Sequence, residues 1–266
     1  MKVMNLLRQA LYPRRFGVML KKLFRRMGDP PGLLSARENL EWIKSNCSSF
    51  SIVADQLDSD LWQESLRISN EMESHANAVL SKIDHKLGGG AVYPFLYFLT
   101  RYLKPTHVVE TGVAAGYSSY AFLAAMKMNG GGTLYSSDFP YFRLPDPEKL
   151  IGIVVPNALK SNWKLFIEGD ETNLRKIRNL VEQVHLFHYD SDKSYAGRRF
   201  AMEILEGWLS QDGIILMDDI QDNSFFHDYA MIKNSLPWRI FEYHGKYVGM
   251  IGTLLNRTSS SGRKTD

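Results

Sequence analysis

The sequence predicts an α/β protein built on a doubly wound, mostly parallel sheet of seven strands, with a helical N-terminal extension. Between residues 93 and 255, short apolar runs alternate with segments of helical period, which is typical of a parallel sheet covered on both faces. Only His244 and Gly245 separate the last two apolar runs, so these form a hairpin and one of them runs antiparallel. A chain of 266 residues is long enough for one such domain with an appendage.

The strands and helices of this domain follow one another in strict alternation. The predicted strands are residues 107–111, 133–137, 164–168, 184–189, 213–217, 238–243 and 246–254. The predicted helices between them are residues 117–128, 146–160, 172–182, 194–209 and 223–235. Five strand–helix units closed by a hairpin differ from an ordinary dinucleotide-binding sheet, which lacks the hairpin.

The helical extension is predicted over residues 1–88, and residues 1–27 within it are predicted to form a basic amphipathic helix. These 27 residues carry eight lysines and arginines and no acid, with leucines among the bases. We expect this helix to pack on the body or on a second subunit, which would make the protein a homo-oligomer; peripheral contact with an anionic membrane is the alternative. The α/β domain is predicted over residues 89–256, and residues 257–266 are predicted to be a disordered tail.

The composition excludes several classes of protein. Removing the eight positive charges of residues 1–27 and the net +2 of residues 257–266 from the net charge of +3 leaves −7 on the body, which argues against binding of nucleic acid. Cys47 is the only cysteine, so no intrachain disulfide forms, and we expect a cytoplasmic protein. No apolar run approaches the roughly 20 residues that span a bilayer.

Acidic residues stand at or just after the ends of the first five predicted strands. In an open α/β sheet, ligands bind outside the carboxyl ends of the strands, near the point where the strand order reverses. A succession of acids at that edge indicates a binding site, because clustered carboxylates repel one another unless a positive charge or a ligand compensates them. These acids are Glu110, Asp138, Asp170, Asp190 and the pair Asp218-Asp219.

A glycine-rich loop follows the first of these strands and opens a helix, so we expect it to lie against a nucleotide-like ligand. Its sequence, ETGVAAGYSS, fails the dinucleotide fingerprint because Ala114 and Tyr117 stand where glycines are required. No lysine or arginine occurs from Pro105 to Met126, so the loop favours a ligand without phosphate and with a sulfonium charge. A purely steric reason for Gly112 is the alternative.

The motifs ETGVAAGYSS, LYSSDFP, LFHYDSDKSY and GIILMDDIQDNSFF together resemble class I S-adenosylmethionine-dependent methyltransferases. More narrowly, they resemble the methyltransferase domain 24 type, which is related to macrocin-type sugar O-methyltransferases and to catechol and caffeoyl-CoA O-methyltransferases. The resemblance covers about residues 90–255 and implies that S-adenosylmethionine binds at the edge of the sheet. The residues expected to bind it are Glu110, Thr111, Gly112, Ala114, Gly116, Tyr117, Ser118, Asp138, Gly169, Asp170 and Asp190.

A divalent metal ion is expected beside the cofactor. In the catechol and caffeoyl-CoA enzymes, an Asp after strand four and an Asp-Asn pair after strand five hold Mg²⁺, and those positions fall on Asp190, Asp218 and Asp219. This sequence departs from that pair by having Asp in place of Asn. Strands four and five are neighbours in a doubly wound sheet, so the three carboxylates should converge, and oxygen ligands select Mg²⁺, Mn²⁺ or Ca²⁺. The alternative is that one acid caps a helix and another forms a surface salt bridge.

The expected chemistry is methylation of an oxygen that the metal orients. Lys193 stands where the related enzymes place their catalytic lysine, and Asp192 is the rival general base. We expect Tyr195 and Asn223 to line the acceptor pocket, whereas His188 is expected to be packed in its strand and His227 to be structural. The acceptor is expected to be a small hydroxylated molecule such as a sugar or a glycosylated metabolite; a metal-independent methyltransferase or a non-catalytic cofactor-binding module are the alternatives.

Overall fold

A mixed eight-stranded sheet forms the centre of the protein. The computed structural model describes residues 16–20, 28–30, 32–89, 91–141, 144–233 and 236–258. The strands are β1 (Cys47–Ser48), β2 (His107–Thr111), β3 (Thr133–Ser137), β4 (Trp163–Phe166), β5 (Val184–Tyr189), β6 (Leu209–Met217), β7 (Trp238–Tyr243) and β8 (Lys246–Ile251). Their order across the sheet is β1-β7-β8-β6-β5-β2-β3-β4. The strand order therefore reverses between β2 and β5, and the ligand-binding crevice of a doubly wound sheet lies at that point.

The predicted α/β class and the mostly parallel sheet are confirmed. The seven predicted strands correspond to β2–β8, and the bounds of β2, β3, β5 and β7 agree with the prediction. The hairpin is confirmed too, because β8 runs antiparallel to both β7 and β6. The eighth strand, β1, comes from the N-terminal extension and pairs in parallel with β7, with Cys47 opposite Ile240.

Seven α-helices are described from end to end, in addition to the helical residues 16–20. They are α1 (Ala36–Ser45), α2 (Phe50–Leu80), α3 (Tyr93–Leu103), α4 (Tyr117–Asn129), α5 (Asp170–Arg178), α6 (Tyr195–Leu205) and α7 (Phe225–Ile232). The predicted helix 146–160 is wrong: this stretch contains two 3₁₀ turns, Pro147–Leu150 and Asn157–Asn162. Gly152 interrupts it in the left-handed region, at φ +65°, and a Cβ there would overlap the indole ring of Trp163.

The N-terminal extension contributes to the hydrophobic core. Trp62 and Met72 of α2 are 3% and 1% exposed and belong to the same cluster as Phe95 and Phe98 of α3. Helix α3 was not predicted, because its continuous apolar run, buried from Tyr93 to Thr100, cannot be told from a buried strand by periodicity alone. The division between extension and domain at residue 88 stays a prediction.

The two ends of the chain are described only in part. Within the predicted basic helix, residues 16–20 are helical. Residues 1–15 and 21–27 lie outside the described residues. In the predicted disordered tail, Arg257 belongs to a 3₁₀ turn and Thr258 is 4% exposed, so these two residues are ordered; residues 259–266 lie outside the described residues. Among the described residues, no helix has both the length and the apolar character needed to cross a bilayer.

Candidate active site

Acidic residues gather at the edge of the sheet where the central parallel strands end. Asp138, Asp190 and Asp218 each follow the last residue of a strand, and the strand registers place those last residues level with one another. The backbone N–H of Asp190 donates to the carbonyl of Thr111 (3.0 Å), and that of Asp218 donates to the carbonyl of Tyr189 (2.9 Å). The predicted convergence of strand-end acids at one edge is therefore present in the backbone.

The glycine-rich loop between β2 and α4 is packed too tightly for side chains at two positions. Gly112 lies in the left-handed region, at φ +82°, and a Cβ there would overlap the carbonyl oxygen of Asp190. Gly116 has φ +104°, and a Cβ there would lie 2.7 Å from the Cα of Gly152. The steric explanation for Gly112, left open by the sequence, is thus correct at this position, and it brings the loop directly against the backbone of the β5 loop.

Asp138 holds this loop in place. Its Oδ2 accepts hydrogen bonds from the backbone N–H groups of Val113 (3.2 Å) and Ala114 (2.9 Å), while its Oδ1 accepts one from Phe139 N–H (2.6 Å). Ala114 has a left-handed φ of +50°, which is costly for a residue with a Cβ and is retained here by the Asp138 contact. Asp138, which is predicted to bind the cofactor, therefore fixes the conformation of the glycine-rich loop.

The Glu110 side chain lies in the interior of the protein. It is 0% exposed and accepts hydrogen bonds from the hydroxyls of Ser118 (2.8 Å), Ser119 and Ser136 (2.6 Å). Burial raises the pKa of the Glu110 carboxyl, and the three hydroxyls oppose that rise. Glu110 and Ser118, both predicted to bind the cofactor, thus bond to each other and fasten α4 to β2 and β3.

Asp170 links β3 to the loop after β5. It accepts hydrogen bonds from the Ser137 hydroxyl (2.7 Å) and from the Ser191 hydroxyl (2.5 Å), and the Thr111 hydroxyl lies 3.0 Å from that of Ser191. Gly169, the residue before it, has φ +90° and donates its N–H to the Asp138 carbonyl (3.1 Å). The predicted cofactor residues Thr111, Gly169 and Asp170 therefore meet in one network beside the loop.

A wall of this site comes from residues that the sequence analysis did not identify. The Gly88 carbonyl accepts a hydrogen bond from Ala115 N–H (3.0 Å), and Gly88 N–H donates to the Tyr141 hydroxyl (3.3 Å). The Tyr117 ring packs against Gly89, where an added Cβ would lie 2.5 Å from it. Burial, with the nearby Asp138 charge, raises the pKa of Tyr141 to about 12, so its hydroxyl stays protonated at neutral pH.

A lysine stands among the carboxylates on the other side of the switch point. Lys193 Nζ donates to Asp190 Oδ1 and lies 2.9 Å from Asp219 Oδ2, and Lys246 Nζ lies 3.3 Å from Asp219 Oδ1. Burial alone would lower the pKa of Lys193, but Asp190 and Asp219 outweigh it and raise that pKa. Burial, reinforced by the Asp218 charge, raises the pKa of Asp190 to about 6.

Asp218 pairs with a histidine rather than with Lys193. Its Oδ1 lies 3.3 Å from Nε2 of His188, which is fully buried in β5, as the sequence predicts. Burial alone would lower the pKa of His188, but the Asp218 carboxylate outweighs it and raises that pKa. Among the described residues, no three acidic, His or Cys side chains are arranged to hold a metal ion. The predicted metal site therefore does not fit this arrangement, in which an ammonium group neutralises Asp190 and Asp219 while Asp218 pairs with a histidine.

The remaining predicted acceptor-side residues each form a hydrogen bond within the protein. Asp192 Oδ1 accepts a hydrogen bond from Ser194 N–H at the start of α6 (3.1 Å). Asn223 Nδ2 donates to the Lys193 carbonyl (2.8 Å), so Asn223 joins the two loops that carry Lys193 and Asp219. The Tyr195 hydroxyl donates to Asp228 Oδ2 (3.0 Å). His227, predicted to be structural, lies 2.8 Å from the other oxygen of that carboxylate, and its ring packs edge-on against Trp42.

A buried arginine fixes the loop after β6. Arg198 of α6 is 0% exposed; its guanidinium donates to the carbonyls of Asp218 (3.2 Å) and Asp219 (2.6 Å) and to Asn223 Oδ1 (3.0 Å). Asp219 has a left-handed φ of +55°, and this clamp on its carbonyl stabilises that conformation. No sequence pattern indicated Arg198, because a basic residue on a helix is ordinarily exposed.

The central part of the chain matches a known family. Residues 109–220 match the model of a methyltransferase domain, from β2 through the glycine-rich loop to the residues after β6. Residues 109–220 form a class I S-adenosylmethionine-dependent methyltransferase domain. No curated protein sequence matches the chain. The matched residues include both the glycine-rich loop and the Lys193 cluster.

Solved structures share the fold of this methyltransferase domain. A methyltransferase from Geobacter sulfurreducens superposes with a TM-score of 0.52 at 16% identity, covering 68% of this chain and 89% of its own. The O-methyltransferase TomG from Streptomyces achromogenes, which acts in tomaymycin synthesis and was solved with S-adenosylmethionine, gives 0.54 at 12%, covering 68% and 89%. A putative caffeoyl-CoA O-methyltransferase from Staphylococcus aureus gives 0.50 at 11%, covering 69% and 91%. At these identities the likeness is one of fold.

Proposed function

We propose that this methyltransferase moves the methyl group of S-adenosylmethionine to a hydroxyl of a small hydroxylated acceptor, such as a sugar or a glycosylated metabolite. The observation that carries the proposal is the Lys193 ammonium group, held by Asp190 and Asp219 next to the cofactor loop. Such a cluster offers both hydrogen-bond donors and acceptors to a hydroxylated molecule. Two of the structural neighbours are named O-methyltransferases, and this supports oxygen as the methylated atom.

The cofactor supplies an electrophilic methyl group on a positively charged sulfur. The part of this chain that we propose to hold it is the loop from Gly112 to Tyr117, with the Asp138 and Asp170 carboxylates beside it. The acids favour a cationic ligand through their charge, and the absence of lysine and arginine from the loop leaves that attraction unopposed. The Tyr141 hydroxyl, which accepts a hydrogen bond from Gly88 N–H, lies on the same side.

The proton of the acceptor hydroxyl needs a base. We expect the O–H bond to break as the new O–CH₃ bond forms and the S–CH₃ bond breaks, with the proton passing to the Asp190 carboxylate. Lys193 donates hydrogen bonds to Asp190 and Asp219, and its raised pKa keeps it protonated. Lys193 is therefore better suited to orient the acceptor oxygen than to act as the general base, which is the role implied by the resemblance to related enzymes. Asp192 stays the rival base, at the start of α6.

The proposed methyl transfer has two possible forms, one that requires a divalent metal ion and one that does not. The predicted Mg²⁺, Mn²⁺ or Ca²⁺ site requires three convergent carboxylates, whereas the described side chains pair Asp218 with His188 and place Lys193 between Asp190 and Asp219. This arrangement supports the metal-independent alternative, with the ammonium group as the counter-charge. We expect methyl transfer to persist after dialysis against EDTA, and loss of activity restored by added Mg²⁺ or Mn²⁺ would contradict that expectation.

Replacing Lys193 tests the proposal directly. We expect Lys193→Met to lower kcat by about 10²–10⁴-fold, because the group that orients the acceptor is lost, while calorimetry shows unchanged affinity for S-adenosylhomocysteine. Lys193→Arg should retain part of the rate, since it keeps the charge. Lys246→Met removes the outer partner of Asp219 and is the matched control, with an expected effect of less than about tenfold. Equal rates for Lys193→Met and the wild type, measured by transfer of a radiolabelled methyl group, would reject the assignment.

For residues 1–27 we propose packing on the protein, on its own body or on a second copy, and a cytoplasmic location. A Cβ on Gly169 would lie 3.2 Å from Val18 Cγ1, so this segment reaches the cofactor edge. Deleting residues 1–27 should lower Tm or change the molecular mass in solution. The membrane alternative rests on the exposed Phe16 and Leu20, and it predicts instead that the deletion abolishes salt-sensitive liposome binding and leaves Tm unchanged.

A further inference from the structure

A segment of the N-terminal extension is docked on the starts of two helices beside the Lys193 cluster. We call residues 29–34 the strap; residue 31 lies outside the described residues. Asp29 accepts hydrogen bonds from the backbone N–H groups of Tyr195 (2.6 Å, to Oδ2) and Ala196 (3.0 Å, to Oδ1). These are N–H groups of the first turn of α6, which have no partner within the helix. A carboxylate from a distant part of the chain therefore satisfies the beginning of α6.

The other end of the strap is fixed to the beginning of α7. Leu33 N–H donates to Asp228 Oδ2 (3.0 Å), and Leu34 N–H lies 3.4 Å from Ser224 Oγ. Between these anchors, Gly32 lies so close to α7 that a Cβ would overlap Ser224 Oγ and would lie 3.0 Å from both Asp228 Oδ2 and the Tyr195 ring. The strap is thus docked by steric fit as well as by hydrogen bonds.

The two helix starts that the strap joins belong to the acceptor side of the site. Helix α6 begins two residues after Lys193, and Ser224 follows Asn223, whose side chain donates to the Lys193 carbonyl (2.8 Å). The strap lies outside residues 109–220, which match the methyltransferase model. The strap therefore comes from the N-terminal extension and lies against the helix starts that flank Lys193 and Asn223.

We propose that the strap is a specificity-determining wall of the acceptor site, with Asp29 and Gly32 as the positioning residues that hold it on α6 and α7. The wall restricts the size of the molecule that reaches Lys193, so loosening it admits larger acceptors relative to smaller ones. The acceptor part of this inference rests on the proposed function. The docking part does not, since it concerns access to Lys193 whether or not a hydroxyl is methylated.

The test compares Asp29→Ala and Gly32→Ala with a matched control. Gly28→Ala is that control, because a Cβ at Gly28 has no atom within 4 Å. Asp29→Asn keeps one accepting oxygen and should behave between Asp29→Ala and the wild type. The first readout is the rate of Lys193 acetylation by sulfo-N-hydroxysuccinimide acetate, followed by mass spectrometry with S-adenosylhomocysteine bound. The second is the ratio of kcat/KM for methyl maltoside to that for methyl glucoside, and the third is the Kd for S-adenosylhomocysteine.

We expect the two strap variants to label Lys193 at least threefold faster than the wild type and to raise the maltoside-to-glucoside ratio at least fivefold. The Kd for S-adenosylhomocysteine and the Gly28→Ala values should match the wild type. Unchanged labelling in both variants, an unchanged ratio, or a Kd that weakens as much as acceptor use would overturn the proposal. If the wild type methylates neither glycoside nor any other hydroxylated acceptor while labelling still accelerates, the proposed function fails and the docked wall stands.

Discussion

The two halves of the site are built by different physical means. On the cofactor side, the loop is shaped by glycine positions that exclude side chains and by N–H groups that point at one carboxylate, Asp138. On the acceptor side, charged side chains hold one another: Lys193 bonds to Asp190 and Asp219, and the buried Arg198 clamps the backbone after β6. The first half depends on sterics and the second on electrostatics.

This difference predicts how each half responds to change. A backbone cradle tolerates changes of pH and salt but does not tolerate added volume, because its atoms are already in contact. A cluster of ionised groups tolerates changes of volume better, but it responds to every change in charge, since each group sets the pKa of its neighbours. Substitutions that add a methyl group should therefore damage the cofactor side most, and substitutions that remove a charge should damage the acceptor side most.

The largest expected effect is that of Gly112→Ala on the cofactor side. The new Cβ would overlap the carbonyl oxygen of Asp190, and the residue would keep a left-handed φ of +82°. We expect a loss of at least about 3 kcal/mol in the free energy of unfolding, together with loss of S-adenosylhomocysteine binding. Chemical denaturation and calorimetry measure the two quantities.

Gly207→Ala separates the two causes of that effect. Gly207 also has a left-handed φ, +66°, but a Cβ there has no atom within 4 Å. It should therefore lose only the roughly 1–2 kcal/mol that the left-handed conformation costs a residue with a Cβ. If the two variants lose equal stability, the close approach of the loop to Asp190 contributes nothing, and the steric account of the cofactor side is incorrect.

A smaller effect is expected from Asp138→Ala. Hydrogen bonds to a charged group contribute about 1–3 kcal/mol, so we expect the affinity for S-adenosylhomocysteine to fall by on the order of 10–100-fold. Part of that loss comes from the loop itself, because Val113 and Ala114 N–H lose their acceptor. Asp138→Asn keeps one accepting oxygen and should lose less. Calorimetric titration giving the wild-type affinity for both variants would remove Asp138 from the cofactor site.

The same difference explains how much the sequence predicts. The cofactor side was predictable because Gly112 and Asp138 act through local geometry that follows directly from a strand, a tight turn and a helix. The acceptor side was predictable only as a group of acids. Whether Asp218 joins Asp190 or turns to His188 depends on side-chain packing, and the counter-charge of Lys193 depends on where a flexible side chain comes to rest.

The failures in the fold have equally specific causes. The stretch 146–160 has a helical pattern of apolar residues, but Gly152 fits against Trp163 only in a left-handed conformation, so tertiary packing overrides the pattern. Helix α3 was missed because a short continuous apolar run is as typical of a buried strand as of a buried helix. The strap was missed because its contacts, such as Asp29 with Tyr195, join residues more than 160 positions apart.

A small effect is also expected from replacing Asp228, which anchors the strap on the acceptor side. Burial alone would raise the pKa of this carboxyl, but hydrogen bonds from His227 and from the Leu33 backbone lower it below its ordinary value. Because the folded pKa is depressed, the carboxylate stabilises the fold above the unfolded pKa of about 3.9, and this contribution is lost as pH falls through the folded value. Asp228→Asn should therefore cost about 1–2 kcal/mol at pH 7, and the difference from the wild type should shrink below pH 4. Asp55→Asn, at an exposed position of α2, is the control and should show no such trend. Urea unfolding between pH 7 and pH values below 4 measures the difference in the free energy of unfolding between Asp228→Asn and the wild type. If that difference stays constant with pH, the amide is simply a poorer fit than the carboxylate, and electrostatics do not govern this side of the site.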